Sequence, residues 1–402
     1  MPEDYGNYIT HIYNNGPMSE TTKGVTADFR ELETQARQAL GNRAFNYVAG
    51  GAGEKATMDS NRLAFRQWKV IPRMLRDMTD LDVSVELFGQ RYANPVLMAP
   101  VGVQSIFHED KDTGLAEVCE EINVPFIMST ASTSSIEEIA AANKTGNRWF
   151  QLYWPHDNDV TLSLLQRARN NGFSVLVITL DTWCLAWRPA DLDEAYVPFF
   201  RATGNQVGFS DPVFRAKYEQ KAGIKIEDDI RAASNEWVGD LFTKAHTWHE
   251  LSFIRKNWDG PIVLKGIQHV EDAKLAVRHG CDGIVVSNHG GRQVDGAIGS
   301  LDILPEIVDA VGDQITVLYD SGIRTGADIV KALCLGAKAV LIGRPAIYGL
   351  SIGGRNGAKH VLKGILADFW RNMALSGLLN VSECDRSKIR RVLYPGDAQA
   401  MM

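Results

Sequence analysis

Eight short apolar runs recur along the chain: Pro95–Pro100, Pro125–Ser129, Arg148–Tyr153, Val175–Thr179, Pro261–Gly266, Gly283–Ser287, Ile315–Asp320 and Ala339–Gly343. Each has strand length and little polar alternation, the pattern of a parallel strand covered on both faces. Amphipathic stretches at helical spacing lie between them, such as Leu162, Leu164, Leu165 and Ala168, or Ile329 and Leu333. A long closing helix is expected from about Lys359 to Leu378. Eight strand–helix units between residues 95 and 378 predict an α/β fold of the (β/α)8 TIM barrel type. A doubly wound open sheet is the alternative, but it seldom sustains so many regular units.

Residues 1–94 precede that rhythm. The first 25 are polar and rich in Asn, Thr and Gly, and read as an arm laid on a neighbouring surface. A helix is expected to begin at Thr26-Ala27-Asp28, with Phe29, Leu32 and Ala36 on one face and Gly41 as its stop. A second carries Phe45 to Ala49 into Gly50-Gly51-Ala52-Gly53. That run lacks both the preceding strand and the spacing of a nucleotide P-loop. One barrel unit is oversized, with some eighty residues between Thr179 and Pro261. Its middle, about 189–246, carries Tyr196, Phe199, Phe200, Phe209, Phe214, Tyr218 and Trp237. An insertion of this kind predicts a partly ordered lid over the barrel mouth that also makes subunit contacts, with a passive surface excursion as the alternative. Residues 379–402 read as a C-terminal tail.

Composition narrows the class. A hydrophobic content of 45% and a charged content of 23% are ordinary for a globular protein. The net charge of -7 argues against a nucleic-acid surface or a polybasic membrane patch. No apolar run nears the ~20 residues that span a bilayer. The five cysteines, Cys119, Cys184, Cys281, Cys334 and Cys384, lack CxxC spacing. They predict free thiols in a reducing compartment, with no disulfide framework and no metal site. The polar, acidic start and a final Ala398-Gln399-Ala400-Met401-Met402 without a peroxisomal signal make cytoplasmic the expected location.

In barrels the chemistry collects at the C-terminal strand ends. Here those ends carry Val101-Gly102, Ser129, Gln151 with Tyr153, Thr179 with Asp181, Lys265, Ser287 with His289 and Arg292, Asp320 with Gly322 and Arg324, and Gly343-Arg344. One such residue could be a cap or half of a salt bridge; eight polar ends together point to a site. Gly322, Arg324, Gly343 and Arg344 follow strands seven and eight, where barrels cradle phosphate on backbone N–H groups and a helix N-terminus. Lys265 ends strand five as a fixed positive charge. A phosphorylated heteroaromatic cofactor such as a flavin fits this set, the lysine favouring the anionic reduced ring. A flavin-free, phosphosugar-binding barrel enzyme fits the spacing nearly as well.

The motif Ser287-Asn288-His289-Gly290-Gly291-Arg292-Gln293 resembles the active-site signature of the FMN-dependent L-2-hydroxy acid oxidases and dehydrogenases. Residues 99–102, 150–153, 179–182, 320–326 and 342–345 follow in family order, so the resemblance runs from about Phe45 to Gly377. It implies that 1–402 is a single FMN hydroxy acid dehydrogenase domain. It also implies a 2-hydroxy acid substrate, O2 as electron acceptor and a homotetramer or octamer. His289 would be the base, Asp181 its partner, and Tyr153 a hydrogen bond to the substrate hydroxyl. Tyr47, Arg188 and Arg292 would hold the carboxylate. FMN would rest on Val101, Gly102, Ser129, Gln151, Thr179, Lys265 and Ser287, with Asp320 on its ribityl chain and Gly322, Arg324, Gly343 and Arg344 on its phosphate. Trp187-Arg188-Pro189, where most relatives carry a Gly-x-Arg-Glu run, and the long insertion are most similar to lactate 2-monooxygenase. A simple oxidase releasing 2-oxo acid and peroxide is the alternative, and a non-catalytic flavin scaffold is disfavoured by the full His289, Asp181 and Arg292 set. Ala131 stands where family members often have Trp or Leu, which implies room for acids larger than lactate.

Overall fold

In the computed structural model, which describes residues 4–15 and 24–393, every expected apolar run forms a strand. These are β1 (Val96–Met98), β2 (Phe126–Met128), β3 (Arg148–Leu152), β4 (Leu176–Thr179), β5 (Ile262–Ile267), β6 (Gly283–Val286), β7 (Thr316–Tyr319) and β8 (Ala339–Ile342). They pair in parallel and in chain order, and β8 closes onto β1 through Val340–Val96, Leu341–Leu97 and Ile342–Met98. The (β/α)8 expectation holds, and closure excludes the open sheet.

The strands lack polar alternation because each face meets a different apolar partner. One set, including Met98, Phe126, Phe150, Ile178 and Ile284, packs against the surrounding helices. The alternate set, Leu97, Ile127, Trp149, Val177, Val263, Val285, Leu318 and Leu341, fills the lumen. At the N-terminal end a hairpin of short strands, Val85–Leu87 and Gln90–Tyr92, stoppers the barrel. Its turn residue Phe88 lies 5.8 Å from the Trp149 ring, and Trp149 Nε1 donates to the Tyr92 hydroxyl at 3.3 Å. Two residues further along the strands the same inward face turns polar: Ser129, Gln151, Thr179, Lys265, Ser287 and Asp320. Hydrogen bonds knit this layer across strands, Ser129 to Gln151 at 3.1 Å and Lys265 to Ser287 at 3.0 Å.

Outside the barrel several expectations change. The N-terminal arm is helical over its described part: α1 (Tyr8–Asn15) lies on the last helix, with the Tyr8 hydroxyl 2.7 Å from His360 Nδ1. The helix expected from Thr26 begins later, as α2 (Leu32–Ala39). Asp28 is instead held in a turn, accepting from Arg30 N at 2.8 Å while its own N–H donates to Thr26 Oγ1 at 3.0 Å. Tyr47 sits on α3 (Asn42–Ala49), followed by α4 (Ala56–Gln67). The closing helix is longer than expected. It spans Arg344–Ser376 with a break at Gly353 and Gly354, whose φ of -143° and +60° let its first limb start directly after β8. Residues 1–3, 16–23 and 394–402, including parts of the expected arm and tail, lie outside the described residues.

The insertion is mostly helical, built of short helices joined by turns. It contains Pro189–Asp193, Gln206–Phe209, Pro212–Ala222 and Ile230–Leu241. Phe214, Tyr218 and Trp237 extend the hydrophobic core of the barrel and its helices into the insertion, and the Phe214 and Trp237 rings meet at 5.0 Å. Asp211 caps the third of these helices and accepts from Arg167 at 3.1 Å and Ser163 at 2.6 Å, fastening the insertion to the barrel helix Asn158–Asn170. Among the described residues no helix is long and apolar enough to cross a membrane, and no group of three or more His, Cys, Asp or Glu could hold a metal.

Candidate active site

The polar layer opens into a cavity at the C-terminal mouth of the barrel. Of the residues singled out in the sequence, Tyr47, Val101, Gly102, Ser129, Tyr153, Arg188, Lys265, His289, Arg292, Asp320, Gly322, Arg324, Gly343 and Arg344 all line it. Gln151, Thr179, Asp181 and Ser287 stand outside that lining. Gln151 and Ser287 belong to the layer beneath, Asp181 stands behind His289, and Thr179 borders a second cavity.

His289 follows β6 in a left-handed backbone conformation (φ +57°), and Gly290 and Gly291 continue it at +66° and +73°. An imidazole in this region is strained backbone, held here by tertiary contacts. Its own N–H donates to Ser287 Oγ at 3.0 Å, and the next N–H donates to Ser321 Oγ at 3.0 Å. The ring Nδ1 meets Asp181 Oδ1 at 2.8 Å and Thr182 Oγ1 at 3.1 Å. Burial drives the His289 pKa below its ordinary value, and the Lys265 and Arg188 charges add to this against the opposing pull of Asp181. For Asp181, burial alone would raise the carboxyl, but His289 and Lys265 outweigh it and hold the pKa down to about 2. The pair therefore rests as carboxylate and neutral imidazole. Nδ1–H donates to Asp181, which leaves Nε2 as the ring's proton acceptor.

Four arginines form much of the remaining wall, and none has a carboxylate within ion-pair distance among the described residues. Other arginines of the chain are ion-paired, as in Arg167 with Asp211 or Arg62 with Asp328. Here they are braced on the backbone instead. Arg344 donates to Val48 O, Gly290 O and Gly50 O, each at 2.9 Å, and burial pushes its pKa down to about 9. Arg292 donates from Nη1 to Tyr47 O at 2.6 Å and Gly50 O at 3.0 Å, and its guanidinium lies 5.1 Å from the Tyr47 ring centroid. Arg188 donates to Arg292 O at 2.9 Å and Gln293 Oε1 at 2.6 Å. Burial, then the neighbouring Arg292, lowers its pKa to about 10. Arg324 reaches only Ile323 O, at 3.0 Å. Buried cations without counter-ions make this a cavity for anions.

The floor has an unmet donor as well. Gln151 Oε1 accepts from Ser129 Oγ and Thr130 N, while its buried Nε2 has no partner among the described residues. Lys265 Nζ is fixed by Ser287 Oγ at 3.0 Å and Asp320 Oδ2 at 3.1 Å. Gly102 is required for close approach, because a Cβ there would lie 2.5 Å from Ala131 O.

Sequence reasoning missed four contributors. Phe199 and Phe242 bring aromatic rings from the insertion to the cavity wall, 5.8 Å apart, with Phe242 5.0 Å from Tyr153. Thr182 donates to Asp181 Oδ1 at 2.9 Å. Ser321 joins the β6 and β7 loops by accepting from Gly290 N and donating to Asp320 Oδ1 at 2.8 Å. The two phenylalanines lie in a stretch without barrel periodicity. Thr182 and Ser321 adjoin singled-out residues and could have been found from that adjacency.

A barrel that sets a histidine–aspartate pair beside an anion-binding cavity defines a class of enzyme, and known proteins narrow it. The FMN-dependent dehydrogenase pattern matches residues 36–391. An FMN-dependent alpha-hydroxy acid dehydrogenase, qulF, of Penicillium citrinum is 60% identical over 401 residues, covering 100% of both chains. An L-lactate oxidase of Lysinibacillus sphaericus (strain C3-41) is 39% identical, covering 89% of this chain and 93% of its own. A crystal structure of mandelate oxidase has a TM-score of 0.81 and 35% identity, over 92% of this chain and 100% of that one. The chain belongs to the FMN-dependent dehydrogenase family of 2-hydroxy acid oxidoreductases, and FMN is its cofactor.

Proposed function

We propose that the chain oxidises an L-2-hydroxy acid at the His289–Asp181 pair and passes the electrons to O2. The observation that carries this is the neutral, Asp-braced imidazole facing a cavity whose arginines lack counter-ions. The cavity chemistry fits FMN. The free Gln151 amide, the Gly102 backbone and Val101, Ser129, Thr179, Lys265 and Ser287 would hold the ring, with Asp320 on the ribityl chain. Gly322, Arg324, Gly343 and Arg344 would hold the phosphate at the N-terminus of the last helix. When bound, FMN supplies a two-electron acceptor next to the substrate.

Arg188, Arg292 and Tyr47 hold the substrate carboxylate, since a guanidinium fork matches it in bidentate fashion. Burial raises the Tyr153 pKa far above the ordinary tyrosine value, so it stays a phenol that can donate to the substrate oxygen. His289 Nε2 takes the proton the substrate loses, and Asp181 stabilises the imidazolium that forms. The insertion, with Phe199 and Phe242, excludes water.

Substrates larger than lactate are expected. Ala131 is small, and the wall beyond it is the apolar pair Phe199 and Phe242. A panel of L-2-hydroxy acids tested by anaerobic flavin bleaching decides this. Mandelate and 2-hydroxybutyrate should give higher kcat/KM than lactate by about 10-fold, and an equal or lower value would refute the reading. The lactate 2-monooxygenase outcome is a second reading, favoured by the well-packed insertion, which would retain the 2-oxo acid long enough for peroxide to attack it. Acetate and CO2 from L-lactate, in place of pyruvate and peroxide, would be its signature.

A further inference from the structure

A second cavity lies across Tyr153 and Thr182, which line both it and the arginine-walled cavity. Its walls are the turn after β4, the β5 bulge at Gly266–Ile267, and the segment from Leu241 to Leu251 that leads out of the insertion. Two lining residues carry buried polar atoms without a partner among the described residues. One is Asp181 Oδ2, the oxygen not bonded to His289; the other is Trp154 Nε1. Trp154 is itself buried and stacks on His246 with centroids 4.0 Å apart. Water or another small hydrogen-bonding molecule would satisfy both atoms. The rest of the wall mixes apolar side chains, including Leu241, Trp248, Leu251 and Ile267, with Thr179, His246 and Thr247. Asp181 and Asp272 set two carboxylates against Lys244, which is exposed, so an anionic 2-oxo acid is poorly matched to it.

We propose that this rear cavity is a separate route for dioxygen and hydrogen peroxide, through which peroxide leaves while the insertion still encloses the 2-oxo acid. The proposal rests on O2 being the electron acceptor. Dioxygen then gains the two electrons and two protons that the substrate loses from its Cα–H and hydroxyl, giving hydrogen peroxide. Peroxide held beside the 2-oxo acid attacks its carbonyl carbon. The bond to the carboxylate then breaks, the O–O bond is reduced, and a shorter acid, CO2 and water result. Escape to the rear therefore shifts the outcome toward intact 2-oxo acid plus peroxide. The partition is one side chain thick. The Tyr153 hydroxyl makes no hydrogen bond among the described residues, and its ring is braced edge-on by Phe242.

Holoenzyme of the wild type, Ala245→Trp and Trp248→Ala would be compared by rapid mixing, product analysis with L-lactate, and xenon-pressurised crystals. Ala245 is an exposed lining residue, so a tryptophan there plugs the cavity from outside, whereas Trp248→Ala widens it. Xenon should occupy the wild-type rear cavity and be absent from the plugged one. The plug should slow reoxidation by O2 about fivefold and raise the CO2-to-peroxide ratio at least about twofold, leaving anaerobic reduction unchanged; the widened variant should lower the ratio. An unchanged reoxidation rate and product ratio in a plugged variant with wild-type Tm would overturn the route, as would a wild-type cavity without xenon. If Ala245→Trp lowers the Tm, Leu251→Phe fills the same space and is read the same way. Reduced wild type that does not react with O2 removes the acceptor assignment and the route together. An O2-reactive wild type with indifferent plugged variants removes the route alone.

Discussion

At the N-terminal end of the barrel the 85–92 hairpin presses Phe88 toward Trp149, and the lumen is closed with apolar side chains. At the other end, two residues further along the same strands, Ser129, Gln151, Lys265 and Asp320 take the inward positions and four unpaired arginines ring the opening. The pleat and the inward direction are shared; only the side chains differ. Stability and chemistry are thus assigned to adjacent layers of one lumen, and substitutions in one layer should leave the other's observable nearly untouched.

The sharpest break should come at the polar end. His289→Gln should keep FMN bound and slow its anaerobic reduction by about 10³- to 10⁴-fold, while the thermal midpoint stays close to wild type. Rapid bleaching in that variant would remove His289 from its role. Trp149→Ala is the converse at the apolar end. It should destabilise the fold by about 3–5 kcal/mol in denaturant titration, with flavin reduction in the folded holoenzyme preserved. A collapse in reduction rate without loss of stability would show the layers to be coupled.

Smaller effects test the charges. Arg344→Ala should weaken FMN retention about 10- to 100-fold by equilibrium dialysis, since a charge-assisted donor set is lost; unchanged retention would place the phosphate elsewhere. Finally, His289 has a lowered pKa, so kcat/KM should rise with pH through a value below the ordinary histidine one and then level. Asp181→Asn removes the charge that raises that pKa, and the limb should move further down. A limb that moves upward would contradict the pairing.

Much of this was legible in the sequence, for a physical reason. A parallel strand buried on both faces is an unbroken apolar run, so a polar residue at its end stands out; Gln151, Lys265 and Ser287 were visible that way. The hairpin plug was not, because Val85–Tyr92 is too short to show a period. The expected closing helix began at about Lys359, after Gly353 and Gly354, so the limb that starts at Arg344 was not read as part of it. Thr179 shows the limit of reading strand ends. The strand's end is marked, but nothing in its apolar run shows that its last residue borders a second space, which it shares with Gly266 and Ile267. Phe199 and Phe242 could not be told from the other insertion aromatics, since only the packing of Trp237 and Phe214 separates core rings from wall rings.

The way the insertion packs has a consequence for the cavity wall. The insertion's interior is satisfied by Phe214, Tyr218 and Trp237, and only the rings of Phe199 and Phe242 reach the reaction space from it. Substitutions at those two positions reshape the apolar wall of the cavity and touch neither the His289–Asp181 hydrogen bond nor the Gly343–Arg344 end of the last helix.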